Sequence, residues 1–399
     1  MPSSNNTKTI LFIAALVALG PLATDMYLPA LPAIADSLHT DTTQVQLTLS
    51  VYLIGFALGQ PIYGPLSDRF GRKPVLLMGM LLFIASSTMA AFATSIEHLI
   101  AMRLFQALGG CTGPVLGRAI VRDLYQPAEA GRALAHIAST MALAPALAPI
   151  FGSYLTILYG WEANFWFLVI YGIVAVCVIS FGLPESIPHK NPNALRIKEL
   201  CKNYYRLIAH PVWRLNTLVC SFIYAGLFSF LSGSSFVLIS YLGVSKQNYA
   251  LLFAIIVIGY ITGSQLSARL NTRYPALTLI HAGCLLGVAS GATMLTLSYI
   301  GWHSVTNIIA PHFFFMLAVG MVMPLTLANA LAPFPHMAGT ASALFGTVQM
   351  LIASLHGALV GHFYAGTPTA MAAGIAIAGT VAYMAMLRLQ KYMKTAAQQ

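Results

Sequence analysis

The chain has 399 residues, 58% of them hydrophobic and only 8% charged, far from the quarter charged that soluble domains carry, so a soluble globular protein is excluded. Its formal net charge of +10 comes from bases spread over many loops with no single patch, which argues against nucleic-acid binding. Cys111, Cys177, Cys201, Cys220 and Cys284 show no paired spacing, so neither a disulfide nor a metal site is expected.

Apolar runs of about 20 residues recur instead, each long enough at 1.5 Å rise per residue for roughly 30 Å of hydrocarbon. Twelve are counted: about 9–31, 44–66, 74–93, 98–119, 133–157, 163–183, 214–242, 248–268, 276–299, 305–330, 338–363 and 369–388. The chain therefore reads as an all-α integral membrane protein with twelve transmembrane helices. Of its 20 Lys and Arg, all but Arg103 and Lys246 fall in or beside loops that a cytoplasmic N-terminus would put inside. The positive-inside rule thus predicts that both termini are cytoplasmic.

The first run begins just after Lys8 and is similar to a signal peptide, but it continues past Asp25 to Pro29 and Pro32 without a small-residue cleavage site. A retained first span is expected. Asp25 alone among the ten acids sits well inside a span, and no Asp or Glu follows Glu199. A buried carboxylate costs several kcal/mol unless paired, hydrated or protonated, which makes Asp25 a functional candidate. Arg103 in the fourth span is its basic counterpart. Counted from the outer ends of their spans, each lies on the order of 10 Å deep, so the two can meet. One reading makes Asp25 a proton carrier, since burial and a nearby guanidinium act in opposite directions on a carboxyl and small movements could switch its protonation. The other is a static Asp25–Arg103 pair that orders two helices. The first is preferred.

Between the second and third spans lies GPLSDRFGRKP, one acid and three bases bounded by turn glycines. Gly64, Leu66, Asp68, Arg69, Gly71, Arg72 and Lys73 stand as in the loop between helices 2 and 3 of the major facilitator superfamily, which this segment resembles. The resemblance implies two pseudo-symmetric six-helix bundles, with helices 1, 4, 7 and 10 lining a cavity. It also implies that Asp68 sits near a helix start and pairs with basic residues. Arg69 or Arg72 would then meet Asp123, which ends the fourth span together with Arg118 and Arg122, forming a cytoplasmic gate. The alternative is that these charges only set topology.

In the fourth span, Arg103, Gln106 and Gly109 of RLFQALGG resemble the helix 4 motif of proton-driven exporters in that superfamily. Gly109, Gly113 and Gly117 recur every fourth residue, a ridge suited to close helix packing. The second acid that some multidrug relatives carry earlier on helix 1 is absent, its region being Leu16, Val17 and Ala18. A neutral or singly charged substrate is therefore expected over a dication, with an anion held by Arg103 as the minor case. In the fifth span, Pro145, Pro149 and Gly152 of APALAPIFG resemble the antiporter motif, departing from it at Ala144. Each proline removes a backbone donor and can bend the helix, which would seal the cavity lining.

The polar stretch 184–213 separates 1–183 from 214–399 and is read as a cytoplasmic linker between two six-helix bundles. A shift of 200 residues superposes Gly59 on Gly259, Leu66 on Leu266, Ser67 on Ser267, Arg69 on Arg269 and Lys73 on Arg273. Ala268 replaces the acid and Asn271 the second glycine. A parallel repeat is predicted, with substrate bound between the halves and exposed alternately to each side.

ATDMYLPALPAIA and FPHMAGTASALFGT look like the bicyclomycin-resistance branch of bacterial drug:proton antiporters. That resemblance implies export of small, mostly neutral or weakly charged compounds across the inner membrane in exchange for protons. No cofactor is expected, and a monomer in the lipid bilayer is. Candidate pocket residues are Tyr27, Tyr52, Phe56, Phe105, Gln106, Tyr224, Phe228, Phe236 and Asn329, while His281 and His312 are expected to pack or sit at interfaces and not to relay protons. An exporter of an endogenous metabolite, siderophore or amino-acid derivative, or a non-transporting membrane sensor, are the alternatives. An enzyme is not expected: HExxH, GxSxG and clustered acid–base residues are missing, as is a P-loop.

Overall fold

Lipid offers no water to backbone amides, so a spanning segment must satisfy its own hydrogen bonds, and the helix does so within one segment. The computed structural model describes residues 4–187, 190–192 and 194–396, and these contain helices and no strand. The N-terminal helices are α1 (Ser4–Asp25), α2 (Leu31–Ser37), α3 (Thr42–Phe70), α4 (Arg72–Ala91), α5 (Ile96–Gly110), α6 (Thr112–Leu124), α7 (Pro127–Tyr159) and α8 (Glu162–Gly182). They are followed by α9 (Ile197–Ala209), α10 (Pro211–Ser235), α11 (Lys246–Leu270), α12 (Ala276–Tyr299), α13 (Val305–Leu331), α14 (Ala338–His362) and α15 (Thr369–Ala396). Among the described residues, eleven helical stretches are long and apolar enough to cross a bilayer, and α7 contributes the apolar stretch Ala144–Tyr159. Eleven of the twelve predicted spans are thus matched along their length, and the fifth, 133–157, only from Ala144 onward.

Local chemistry marks the helix starts. Ser95, Ser245 and Ser304 accept from the amides of His98, Asn248 and Asn307 at the heads of α5, α11 and α13. Pro127 and Pro211 open α7 and α10, where a missing N–H costs nothing.

Three expected elements differ in detail. The first span breaks after Asp25, passes through a 3-10 turn at Leu28–Ala30 and resumes as α2. The fourth is two helices meeting at Cys111, and α10 runs on into a π-helical turn, Phe236–Tyr241. The polar linker is not all irregular, since α9 forms within it.

The chain divides into two compact units, residues up to Ile34 with Val51–Leu200, and Ala35–Ser50 with residues from Cys201 onward. Membership does not follow chain order: Ser354 Oγ donates to the Ser50 carbonyl at 2.8 Å inside the second unit. In the first unit α1 packs on α6 and α7, and α4 on α5 and α8. In the second, α10 packs on α13, α14 and α15, and α11 on α13. Each unit has a close helix approach at a glycine, though Gly55 and Gly259 are not partners in the 200-residue register, which pairs Gly259 with Gly59. A Cβ on Gly55 of α3 would lie 2.6 Å from the Leu104 carbonyl of α5, and one on Gly259 of α11 would lie 2.6 Å from the Phe313 carbonyl of α13. The glycine ridge of the fourth span is a packing surface: Gly109 lies against Gly79 and Phe83 of α4, and Gly113 against the Leu16 carbonyl of α1. His312 packs as expected, buried and stacked on Phe230 with ring centroids 3.9 Å apart.

Candidate functional site

Two groups of ionisable residues stand out in the first unit, one within the spans and one at the loop between α3 and α4.

The embedded group begins at the break in the first span. Pro21 removes one donor from α1, and Pro29 enters the 3-10 turn after it, so the helix stops at Asp25. Asp25 is buried, 5% exposed, and its Oδ1 accepts from Thr24 Oγ1 at 2.9 Å. Across the break, Gly152 of α7 sits so close to Met26 that a Cβ there would collide with the Met26 backbone. The glycine of the antiporter-like motif thus holds α7 against the residue next to Asp25. Pro149 and Pro145 lie about one and two turns before it, inside a continuous helix.

Arg103 is fully buried, at 0% exposed. Its Nη1 donates to the Ala23 carbonyl at 3.0 Å and to Gln106 Oε1 at 2.6 Å. Gln106 Nε2 donates in turn to Ser87 Oγ at 2.8 Å, and Ser87 to the Phe83 carbonyl at 2.6 Å. The guanidinium lies over the rings of Tyr27 and Tyr52, 4.6 and 4.3 Å from their centroids, with Phe165 at 6.0 Å. Its Nε and Nη2 have no hydrogen-bond partner among the described residues. The cation is held by aromatic faces and a backbone carbonyl.

A static Asp25–Arg103 salt bridge is therefore not what the structure contains. The ion pairs among the described residues are Arg72–Asp68, Arg72–Asp123 and Arg196–Glu199. Arg103 reaches the first span two residues before Asp25, at the Ala23 carbonyl, because the tyrosine faces and Gln106 fix its direction.

At the loop, Arg72 is the hub. Its Nη1 lies 2.6 Å from Asp68 Oδ1 and from Ser67 Oγ, and its Nε 2.9 Å from Asp123 Oδ2. Of the two arginines proposed to meet Asp123, it is Arg72; Arg69 is exposed and lies over the ring of Phe70 at 5.3 Å. Asp68 sits in the last turn of α3, not at a helix start, and its i,i+4 partner Arg72 offsets a carboxylate at the negative end of a helix. Gly71, at φ +109°, makes the turn into α4. Gly64 lies in α3, where an added Cβ would meet open space. Lys73 Nζ donates to the Ser180 carbonyl near the end of α8 at 2.8 Å. Arg118 Nε bonds back to the Pro114 carbonyl at 2.9 Å, and Arg122 is exposed.

Sequence reasoning missed two members. Glu185 accepts from the Arg72 amide at 2.9 Å and the Lys73 amide at 3.3 Å, and so caps α4. Ser186 Oγ donates to Asp123 Oδ2 at 3.2 Å. The only available signal was an acid directly after the sixth span, in GLPES.

The candidate pocket residues have varied settings. Tyr27 and Tyr52 are buried against Arg103, and Phe56 is half-buried with its ring 6.3 Å from that of Tyr52. Gln106 is fully buried with both amide ends engaged. Phe105, 44% exposed, lies two residues from Arg103 and hence on the opposite face of α5. In the second unit Tyr224 and Asn329 are half-buried. Phe228 packs on Gly357 of α14, and Phe236 lies 6.2 Å from the Tyr364 ring.

Membrane-length helices with ionisable groups held inside the spans mark a polytopic membrane protein of the transporter class. The chain belongs to the Major Facilitator Superfamily, whose family model matches residues 12–357. It is a transporter and not an enzyme. It is 33% identical over 363 residues to an uncharacterized MFS-type transporter, YdgK, of Bacillus subtilis, covering 90% of each chain. It is 30% identical to a bicyclomycin resistance protein homolog of Haemophilus influenzae, covering 88% of each. It is 31% identical to a chloramphenicol resistance protein of Pseudomonas aeruginosa, covering 87% of this chain and 84% of that one. Among solved structures it shares the fold of a D-xylose-proton symporter, with TM-score 0.78, 15% identity and 97% of each chain covered.

Proposed function

We propose that the protein exports small amphipathic compounds in exchange for protons by alternating access. The observation that carries this reading is Asp25: a buried carboxyl at the break in the first span, tied to Thr24 and left out of the Arg103 cage. Taking up a proton removes its charge and releasing one restores it, so its occupancy can be linked to rearrangement of the broken helix. The cage keeps a fixed positive charge near it, and Gly152 couples α7 to the same break. The reading places two six-helix halves, 1–183 and 214–399, about the linker 184–213, in a bacterial inner membrane with both termini cytoplasmic. It invokes a monomer and no cofactor. The names of relatives, bicyclomycin resistance and chloramphenicol resistance among them, support drug-like cargo.

The test is accumulation of bicyclomycin, chloramphenicol and a panel of neutral compounds in cells with and without the protein, repeated with the proton gradient collapsed. Lower accumulation that depends on the gradient is expected, and Asp25→Asn should abolish the coupling while the protein still inserts. Export that survives gradient collapse, or unchanged coupling in Asp25→Asn, would overturn the reading.

A further inference from the structure

The linker helix α9 has three distinct flanks. At 100° per residue, Leu200, Tyr204 and Leu207 share one side. Leu207 is fully buried in a cluster with Trp213, Cys220, Ala330 and Leu344, and Tyr204 packs against it. Through Tyr204 and Leu207 this side packs the part of α9 from Cys201 onward within the second unit. On the far side Lys198, Lys202 and Arg206 fall within an arc of about 80°, all exposed. Between these sides run Cys201, Tyr205 and Ile208, also exposed, with Tyr205 at 74% and Ile208 at 47%.

Only His210 separates α9 from Pro211, which opens a membrane span, and one residue reaches at most about 3.6 Å. The helix is therefore held at the membrane surface. An aromatic and an aliphatic side chain exposed there, beside a row of bases, match a helix lying in the interface, with its apolar flank among acyl chains and its bases at the phosphates. The charge around it is one-sided. Lys190, Arg196, Lys198, Lys202, Arg206 and Arg214 stand against Glu199, which Arg196 holds at 3.7 Å. We infer that α9 is a docking surface for anionic phospholipid, with Lys198, Lys202 and Arg206 on the head groups and Tyr205 and Ile208 inserted beside them. The inference does not depend on what the protein carries.

The experiment is hydrogen–deuterium exchange of the full chain in phosphatidylcholine nanodiscs with and without phosphatidylglycerol, with lipid retention read by native mass spectrometry. Phosphatidylglycerol should slow exchange across 198–209, and added salt should weaken the effect. At about fivefold per base, the variant carrying Lys198→Gln, Lys202→Gln and Arg206→Gln should lose affinity for the anionic lipid by roughly 100-fold. Tyr205→Gln, which keeps every base and hence the insertion signal, should lose protection in the same segment. Equal protection with and without phosphatidylglycerol would overturn the inference, as would full protection in either variant. Protection that appears only with a soluble protein added would assign the surface to a protein partner and overturn it too.

Discussion

Arg103 shows how a guanidinium can be kept inside a span without a carboxylate. Tyr27 and Tyr52 cover its faces, and the Ala23 carbonyl and Gln106 Oε1 both accept from Nη1. Each desolvated cation–π contact is worth up to about 2 kcal/mol, and the planar fork allows stacking and hydrogen bonding at once. Lysine keeps the charge and loses both the plane and the fork. Arg103→Lys is therefore expected to insert normally, to melt at a lower temperature in detergent, and to lose at least tenfold in transport by reconstituted vesicles. Wild-type melting and transport would show that only charge matters at this position. From sequence, Arg103 and Asp25 were visible as the two ionisable groups within spans, because such residues are costly and therefore rare there. Their separation was not visible. Equal depth permits a pair, but which way each side chain turns depends on Tyr27, Tyr52, Gln106 and Thr24.

At the scale of elements, the break in the first span and the close approach of α7 belong together. Prolines at 21 and 29 free backbone groups that a continuous helix would have used, and Gly152 lets a second backbone come to rest beside Met26. The obstacle to a side chain at 152 is main chain, which cannot swing aside as a rotamer does. Gly152→Ala should push α7 off the break, with the protein still found in the membrane and transport reduced several-fold. Protease susceptibility around Met26 and transport rate check this, and an unaltered rate would mean that the contact has no role in the cycle. APALAPIFG showed in sequence that a small residue follows two prolines, yet not which helix it faces. The linker shows the opposite gap. Its polar composition reads as a connection, whereas an apolar edge at Tyr204 and Leu207 is enough to dock a helix once α10, α13 and α14 offer a surface.

Across the molecule as a whole, the loop after α3 joins four helices of one unit. Arg72 ties the end of α3 to α6 through Asp68 and Asp123, Glu185 caps α4 from beyond α8, and Lys73 reaches back to α8. These contacts are unequal. Asp68 has a side chain 43% exposed, so its ion pair contributes at most about 1 kcal/mol, while losing Arg72 removes its bonds to Asp68, Ser67 and Asp123 together. Arg72→Ala should therefore lower the melting temperature clearly and Asp68→Asn only slightly. If the loop acts as a gate, Asp68→Asn should nonetheless cut transport. Full transport in that variant, with normal insertion, would leave these charges a purely topogenic role.

Legible along the chain were the all-helical membrane fold, the loop motif and the identity of the embedded charges. All of these rest on local chemistry: backbone bonding in lipid, turn glycines, and the cost of charge in hydrocarbon. Which groups meet follows from the packing of the helices. It placed Arg103 in an aromatic cage and not on Asp25, chose Arg72 over Arg69 for Asp123, brought Glu185 to the head of α4, and grouped residues 35–50 with the second unit. Each of these depends on side-chain direction and on surfaces contributed by helices distant in the chain, which the spacing of residues does not encode.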